Sequence, residues 1–308
     1  MSHEITLRTA HPAVEQLVSE WLHVSRIALP RPVTLDIDVG PLPPLPSGSK
    51  FNFRQGNVAV SSAGPGMPLA IEWGPGMGRC VLDTSSTTAK VIMEERALER
   101  PNEMLRLFLM LVCTFLLRRV GFHHIHGAVL LSPQNKGLLL VGVSGSGKST
   151  TTALLARRGW QVGTDDIAFM CAGEQPGTTD IVPWRERLAL HADSASAIGH
   201  HGGADLEARQ KIGWFVEDLG TTWVQRVRPE LIVLPTASAD APTSVRPLRA
   251  QQSLARIMPS SPWVSLEAEY ADEHLDLLTR LVKQSRSFEA TVGRDLFDRP
   301  DILPELLA

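Results

Sequence analysis

Cysteine is scarce in this chain: three residues in 308, Cys80, Cys113 and Cys171, odd in number and far apart. That spacing excludes a disulfide framework and any CxxC metal site, and it leads us to expect a reducing, cytoplasmic setting. Excess charge is missing too. A net charge of −3 gives no global basic field to attract nucleic acid. The N-terminus, "MSHEITLRTAHPAVEQ", has no apolar core of a signal peptide. The longest apolar stretch, Met104 to Leu117, is interrupted by Arg106 and ends at Arg118-Arg119. It falls short of the ~20 residues that cross a bilayer, so it reads as a buried helix of a soluble protein with no membrane partner. No internal repeat is visible.

What is present divides the chain in two. Val14, Leu17, Val18 and Trp21 fall at helical spacing, and "VTLDIDV" (Val33 to Val39) alternates as a half-buried strand does. Proline in "GPLPPLPSG" makes Gly40 to Gly48 a turn or linker. Short strand-like pieces follow at Phe51–Phe53, Val58–Val60, Leu69–Trp73 and Cys80–Leu82. Residues 1–98 are therefore expected to form a small β-rich domain. Residues 99–308 are expected to form an α/β domain, a P-loop kinase-type sheet with flanking helices. In it "LLLVGV" is a strand, "TTTALLARRGW" a helix capped by Gly159, and "WQVGTDD" a second strand. Strand, helix and strand over so short a span predict a βαβ unit with parallel strands. Further on, "PELIVL" reads as a buried strand, and Leu275, Leu278 and Leu281 mark the apolar face of a helix.

Between the first strand and its helix lies "GVSGSGKST", which fits GxxxxGK[ST] at Gly142, Gly147, Lys148 and Ser149. Glycines let consecutive amides turn inward around an anion, and the helix start adds positive potential. Gly142, Val143, Ser144, Gly145, Ser146, Gly147, Lys148, Ser149 and Thr150 are thus expected to hold the phosphates of a nucleoside triphosphate, with Lys148 on the β- and γ-phosphates and Ser149 on Mg²⁺. Asp165-Asp166 closes the second strand, where ligands of such sheets gather. One carboxylate can orient Mg²⁺ and the other can take a proton from an attacking hydroxyl. His123, His124 and His126 have no cysteine or acidic residue at metal spacing nearby, so zinc is not expected there. Arg185 and Arg187 could clamp phosphate or simply be solvated. No guanine-reading NKxD motif and no LSGGQ signature occurs.

The stretches "IHGAVLL", "GVSGSGKST" and "RRGWQVGTDD" together resemble the HPr kinase/phosphorylase family, bacterial P-loop kinases acting on a protein serine. The resemblance spans residues 125–170. "DDIAFM" also resembles phosphoenolpyruvate carboxykinases, whose nucleotide core is similar. The resemblance implies that His126, Lys148, Asp165 and Asp166 are catalytic, with Asp166 the base and Asp165 toward the metal beside Ser149. It also implies ATP and Mg²⁺, an acceptor hydroxyl on a small protein or peptide, and a homo-oligomer. The family's Glu-x-x-Gly signature is not recognisable, "EARQKIGWF" (Glu207 to Phe215) being the nearest region, and the N-terminal region also differs. The chain is therefore more similar to the divergent HPr-kinase-related branch, some of whose members are linked to peptide modification. A small-molecule kinase and a non-catalytic nucleotide-binding module are the alternative readings.

Overall fold

The computed structural model describes all residues except 1, 2, 26, 100, 101, 198, 200–202 and 207–210. Its contacts fall into two units, residues 1–123 with 263–273, and residues 124–262 with 274–308. The architecture is mixed α/β, with multi-stranded sheets and flanking helices.

In the first unit, β1 (Ile5–Arg8) precedes helix α1 (Pro12–Ser25) and β2 (Val33–Val39). Val14, Val18 and Trp21 are buried on one helical face, and Val33, Leu35 and Ile37 on one strand face. Strands β3 (Lys50–Gln55), β4 (Val58–Ser62), β5 (Leu69–Trp73), β6 (Gly78–Leu82) and β7 (Thr88–Met93) form an antiparallel meander. Parallel pairing of β7 with β2 and of β2 with β1 completes seven strands. The apolar helix α2 (Asn102–Arg118) belongs to this unit, with Phe108 stacked on Trp73 at 5.9 Å. The contact division therefore falls at residue 123, not after residue 98. Arg118 and Arg119, at the helix end, are buried. Arg118 donates to the Trp263 carbonyl (2.7 Å) and Arg119 pairs with Glu267 (2.8 Å), which draws residues 263–273 into the unit. Burial pulls the Arg118 guanidinium down to about 10. The three cysteines are free and buried.

The second unit is built on an eight-stranded sheet. Its members are β8 (His123–Leu131), β9 (Gly137–Val141), β10 (Gln161–Thr164), β11 (Ile167–Ala172), β12 (Thr179–Pro183), β16 (Pro229–Ala237), β17 (Ser244–Leu248) and β18 (Arg286–Val292). A small sheet adds β13 (Leu188–Leu190), β14 (Ala204–Leu206) and β15 (Lys211–Trp214). Helices α3 (Lys148–Ala156), α4 (Ala192–Ala197), α5 (Ala250–Ile257), α6 (Ala271–Gln284), α7 (Asp295–Asp298) and α8 (Ile302–Leu307) complete it. β9 is buried on both faces. Leu138 and Leu140 join one core with Leu154 and Leu155 of α3, while Leu139 and Val141 join another with Leu278 and Leu281 of α6. That is why its sequence is an unbroken apolar run rather than an alternation.

One expectation needs refinement and another needs correction. β10 does not lie beside β9: it pairs antiparallel with β8, which itself pairs antiparallel with β9. β9 and β10 still run the same way, but a strand that precedes both in the chain is wedged between them. The parallel neighbours of the sheet are β9 with β16 and β16 with β18. Leu275, in turn, is 36% exposed, and the buried face of α6 is His274, Leu277, Leu278, Leu281 and Val282. Among the described residues no helix is long and apolar enough to cross a membrane.

Leu278→Ala should destabilise the protein by about 2–5 kcal/mol, because it opens a cavity at a fully buried position. Leu275→Ala should stay within about 0.5 kcal/mol. Urea unfolding of both variants checks the assignment of the face.

Candidate functional site

The site begins where β9 ends. The chain leaves the sheet at Gly142, and α3 starts at Lys148. Gly145 and Gly147 have φ of +81° and +97°, a region side chains rarely enter. A Cβ on Gly142 would sit 2.8 Å from the Ser146 hydroxyl. Gly147 caps α3 without any side-chain hydrogen bond, so the first-turn amides, which no helix can satisfy internally, are left for another acceptor. Lys148 is 6% exposed and donates to the carbonyls of Gly142 (2.6 Å) and Val143 (3.2 Å). Burial pulls its ammonium below the ordinary value, opposed by Asp166 and Asp165.

The acidic pair lies in the turn from β10 to β11, and its two members have different surroundings. Asp165 is 4% exposed, hydrogen-bonded to the Ser149 side chain, and accepts the Ala189 amide at 3.3 Å. Burial first, and Asp166 second, push its carboxyl above the ordinary value. Asp166 is partly exposed and meets His126 Nδ1 at 2.7 Å. Its backbone is fixed on both sides. The Asp166 carbonyl accepts the Gly127 amide (2.9 Å), and its own amide donates to the Thr164 hydroxyl (3.2 Å). An ionised carboxylate can only accept, so His126 Nδ1 is the donor to Asp166. The neighbouring His124 is only partly exposed, and loss of solvent around its ring pushes it down to about 3 and keeps it neutral.

These groups share one open cleft of about 470 Å³ within the second unit. Of the expected residues, His126, Ser144, Gly145, Gly147, Lys148, Ser149, Thr150, Asp165 and Asp166 line it. Gly142, Val143 and Ser146 do not: two give carbonyls to Lys148, and Ser146 is buried with its hydroxyl unpartnered. The Val143 side chain is 76% exposed. Arg185 and Arg187 lie elsewhere, Arg185 paired with Glu217 and Arg187 over the Phe215 ring at 4.1 Å. Residues 207–210 of the "EARQKIGWF" segment lie outside the described residues, but its Lys211 lines the cleft. The cleft also takes in His191, Ser194, Arg294 and Phe297. Nothing in the sequence motif signals them, because they come from segments far along the chain.

Among the described residues no group of three or more His, Cys, Asp or Glu is placed to hold a metal alone. Ser149 and Asp165 nevertheless set two hard oxygens side by side, the donor type Mg²⁺ prefers, and Mg²⁺ commonly takes its remaining ligands from phosphates and water.

No family model matches the sequence, and no curated protein matches it either. Among solved structures, the chain is similar to the Hpr(Ser) kinase/phosphatase from Coxiella burnetii at 12% identity, with 60% of this chain and 93% of that chain covered and a TM-score of 0.32. A likeness that distant leaves the function to be argued from the cleft.

The buried state of Asp165 has a consequence for stability. Its folded carboxyl titrates above the ordinary 3.8, so the folded protein holds that proton more tightly than the unfolded chain does. The resulting penalty is absent below the unfolded value and grows as pH rises through the folded one. Without metal or nucleotide, Asp165→Asn should therefore melt above the parent protein at pH 7, and the gap should close as pH falls through the raised range. Thermal melts across pH in a chelator check this, and a lower melting temperature for the variant at pH 7 overturns it.

Proposed function

We propose that the protein is an ATP- and Mg²⁺-dependent phosphotransferase that moves the terminal phosphoryl group to a serine or threonine hydroxyl on a small protein or peptide. One observation carries the transferase reading. Asp166 stands partly exposed in the same cleft as the glycine loop and Lys148, held by His126 at 2.7 Å. A nucleotide-binding switch has no need of a carboxylate so placed. The hydroxyl acceptor on a protein or peptide is supported by the resemblance of residues 125–170 to the HPr kinase/phosphorylase family.

The residues divide the work. The amides of Gly145, Gly147, Lys148 and Ser149 surround phosphate oxygens at the positive end of α3. Lys148 neutralises charge on the moving phosphoryl group. Ser149 and Asp165 would hold Mg²⁺, which would supply positive charge against the phosphate oxygens. Asp166 takes the acceptor's proton as the hydroxyl oxygen attacks. His126, donating to one oxygen of Asp166, orients the carboxylate and leaves its other oxygen for the hydroxyl.

Labelled ATP offered with candidate acceptors, followed by identification of the labelled residue, tests the reading; bound ATP with no label on any hydroxyl counts against it. Lys148→Ala should lower transfer by about 10²–10³-fold with the fold retained. Asp166→Asn should lower turnover by about 10²–10⁴-fold while nucleotide affinity changes little. Asp165→Asn should instead weaken Mg²⁺-nucleotide binding and recover partly with added Mg²⁺. Turnover and affinity across a Mg²⁺ titration separate the two. Near-normal behaviour of both aspartate variants sinks the proposal.

A further inference from the structure

The cleft has a second end that the transfer chemistry does not use. Along the sheet edge, Asp165 and Asp166 leave β10 on the far side of β8, the glycine loop leaves β9, and Arg294 leaves β18, beyond β16. β9, β16 and β18 run parallel, so the loop, Ala237 and Val292 lie at the same end of the sheet. A Cβ on Gly147 would lie 3.6 Å from Ala237 and 4.0 Å from Val292, which places the start of α3 against the ends of those two strands. The loop therefore sits between the acids on one side and Arg294 with Phe297 on the other. At about 4.8 Å per strand, Arg294 leaves the sheet roughly 10 Å from β9.

Arg294 and Phe297 are held in place by their neighbours. The Asp295 carboxylate accepts from the Thr243 amide (3.0 Å) and hydroxyl (2.6 Å), and the Thr243 hydroxyl accepts the Gly293 amide (3.0 Å). A side chain on Gly293 would lie 2.3 Å from the Ala241 carbonyl, so the turn is built for glycine. Phe297 is half-buried against the core beside α3. Arg294 is exposed, lines the cleft and has no acidic partner among the described residues. Ser238, which follows β16 and lines the cleft, accepts the amides of Asp240 (3.4 Å) and Ala241 (3.1 Å) on its hydroxyl.

Resting on the phosphotransferase reading, in which the terminal phosphate faces Ser149 and Asp165, the rest of the substrate must run the other way from the loop. We infer that the nucleoside lies over Phe297 and Arg294. The Phe297 ring stacks on the base, and the Arg294 guanidinium supplies a cation against its π face. This subsite grips the face of a base, which every base offers. It accepts adenine and guanine alike.

The test is equilibrium binding of ATP, GTP and inorganic tripolyphosphate, at fixed Mg²⁺, to the parent protein, Phe297→Leu and Arg294→Gln. Leucine keeps the packing of residue 297 while removing the ring, and tripolyphosphate binding reports whether each variant is folded. Phe297→Leu should weaken ATP and GTP on the order of tenfold and leave tripolyphosphate unchanged. The parent protein should bind ATP and GTP within about threefold of each other, since every base offers a π face. Equal weakening of tripolyphosphate and ATP in Arg294→Gln makes Arg294 a phosphate ligand and overturns its assignment to the base. An unchanged preference for ATP over tripolyphosphate in Phe297→Leu overturns the subsite while leaving the phosphate cleft intact. No binding of tripolyphosphate or ATP to the parent protein overturns the phosphotransferase reading and this inference together.

Discussion

Strand β8 is the constraint on which the cleft depends. One edge pairs with β9, which carries the glycine loop, and the other pairs with β10 and β11, which flank the acidic turn. The separation between loop and acids is thus set by the width of a single strand. Gly127 makes this close fit possible: a Cβ there would lie 2.8 Å from the Leu140 carbonyl, and its amide binds the Asp166 carbonyl. His126, one residue earlier, reaches the Asp166 carboxylate. The two adjacent residues thus serve the same aspartate, one through its backbone and one through its side chain.

The two aspartates illustrate how one dipeptide can hold opposed environments. Successive residues at the end of a strand point different ways, so Asp165 turns to the buried wall of the cleft toward Ser149 while Asp166 stays partly exposed beside His126. The buried member resists ionisation and so favours a cation beside it. The partly exposed member keeps its histidine and its access to solvent. The burial of an ionisable Asp165 thus costs the protein stability at neutral pH.

Much of this was legible in the sequence wherever the signal is local. The loop from Gly142 to Ser149, the apolar β9 and the acidic turn all lie within thirty residues, and each follows from short-range rules. The insertion of β8 was not legible, because a strand–helix–strand pattern does not record an earlier strand wedged between its two strands. Lys211, Arg294 and Phe297 were missed for a related reason. Lys211 reaches the cleft from tens of residues away and Arg294 and Phe297 from well over a hundred, and no spacing rule links them to the loop. Leu275 was misassigned because several leucines in α6 offered competing helical faces, and packing against β9 and β16 selects the face of Leu277, Leu278 and Leu281.

The buried pairing of Arg119 with Glu267 bears on how the chain is divided. Residues 263–273 belong with the first unit, although the 139 residues from 124 to 262 come before them and belong to the second. In chain terms, the larger unit begins as an insertion into the smaller one and then resumes after it. A cut at residue 124 would strip Arg119 of its carboxylate and leave a buried guanidinium uncompensated, a loss of about 3–5 kcal/mol for pairs of this kind. The N-terminal unit is therefore not a detachable module: its last piece is made only after the ribosome has passed the glycine loop, so its folding is completed late in synthesis.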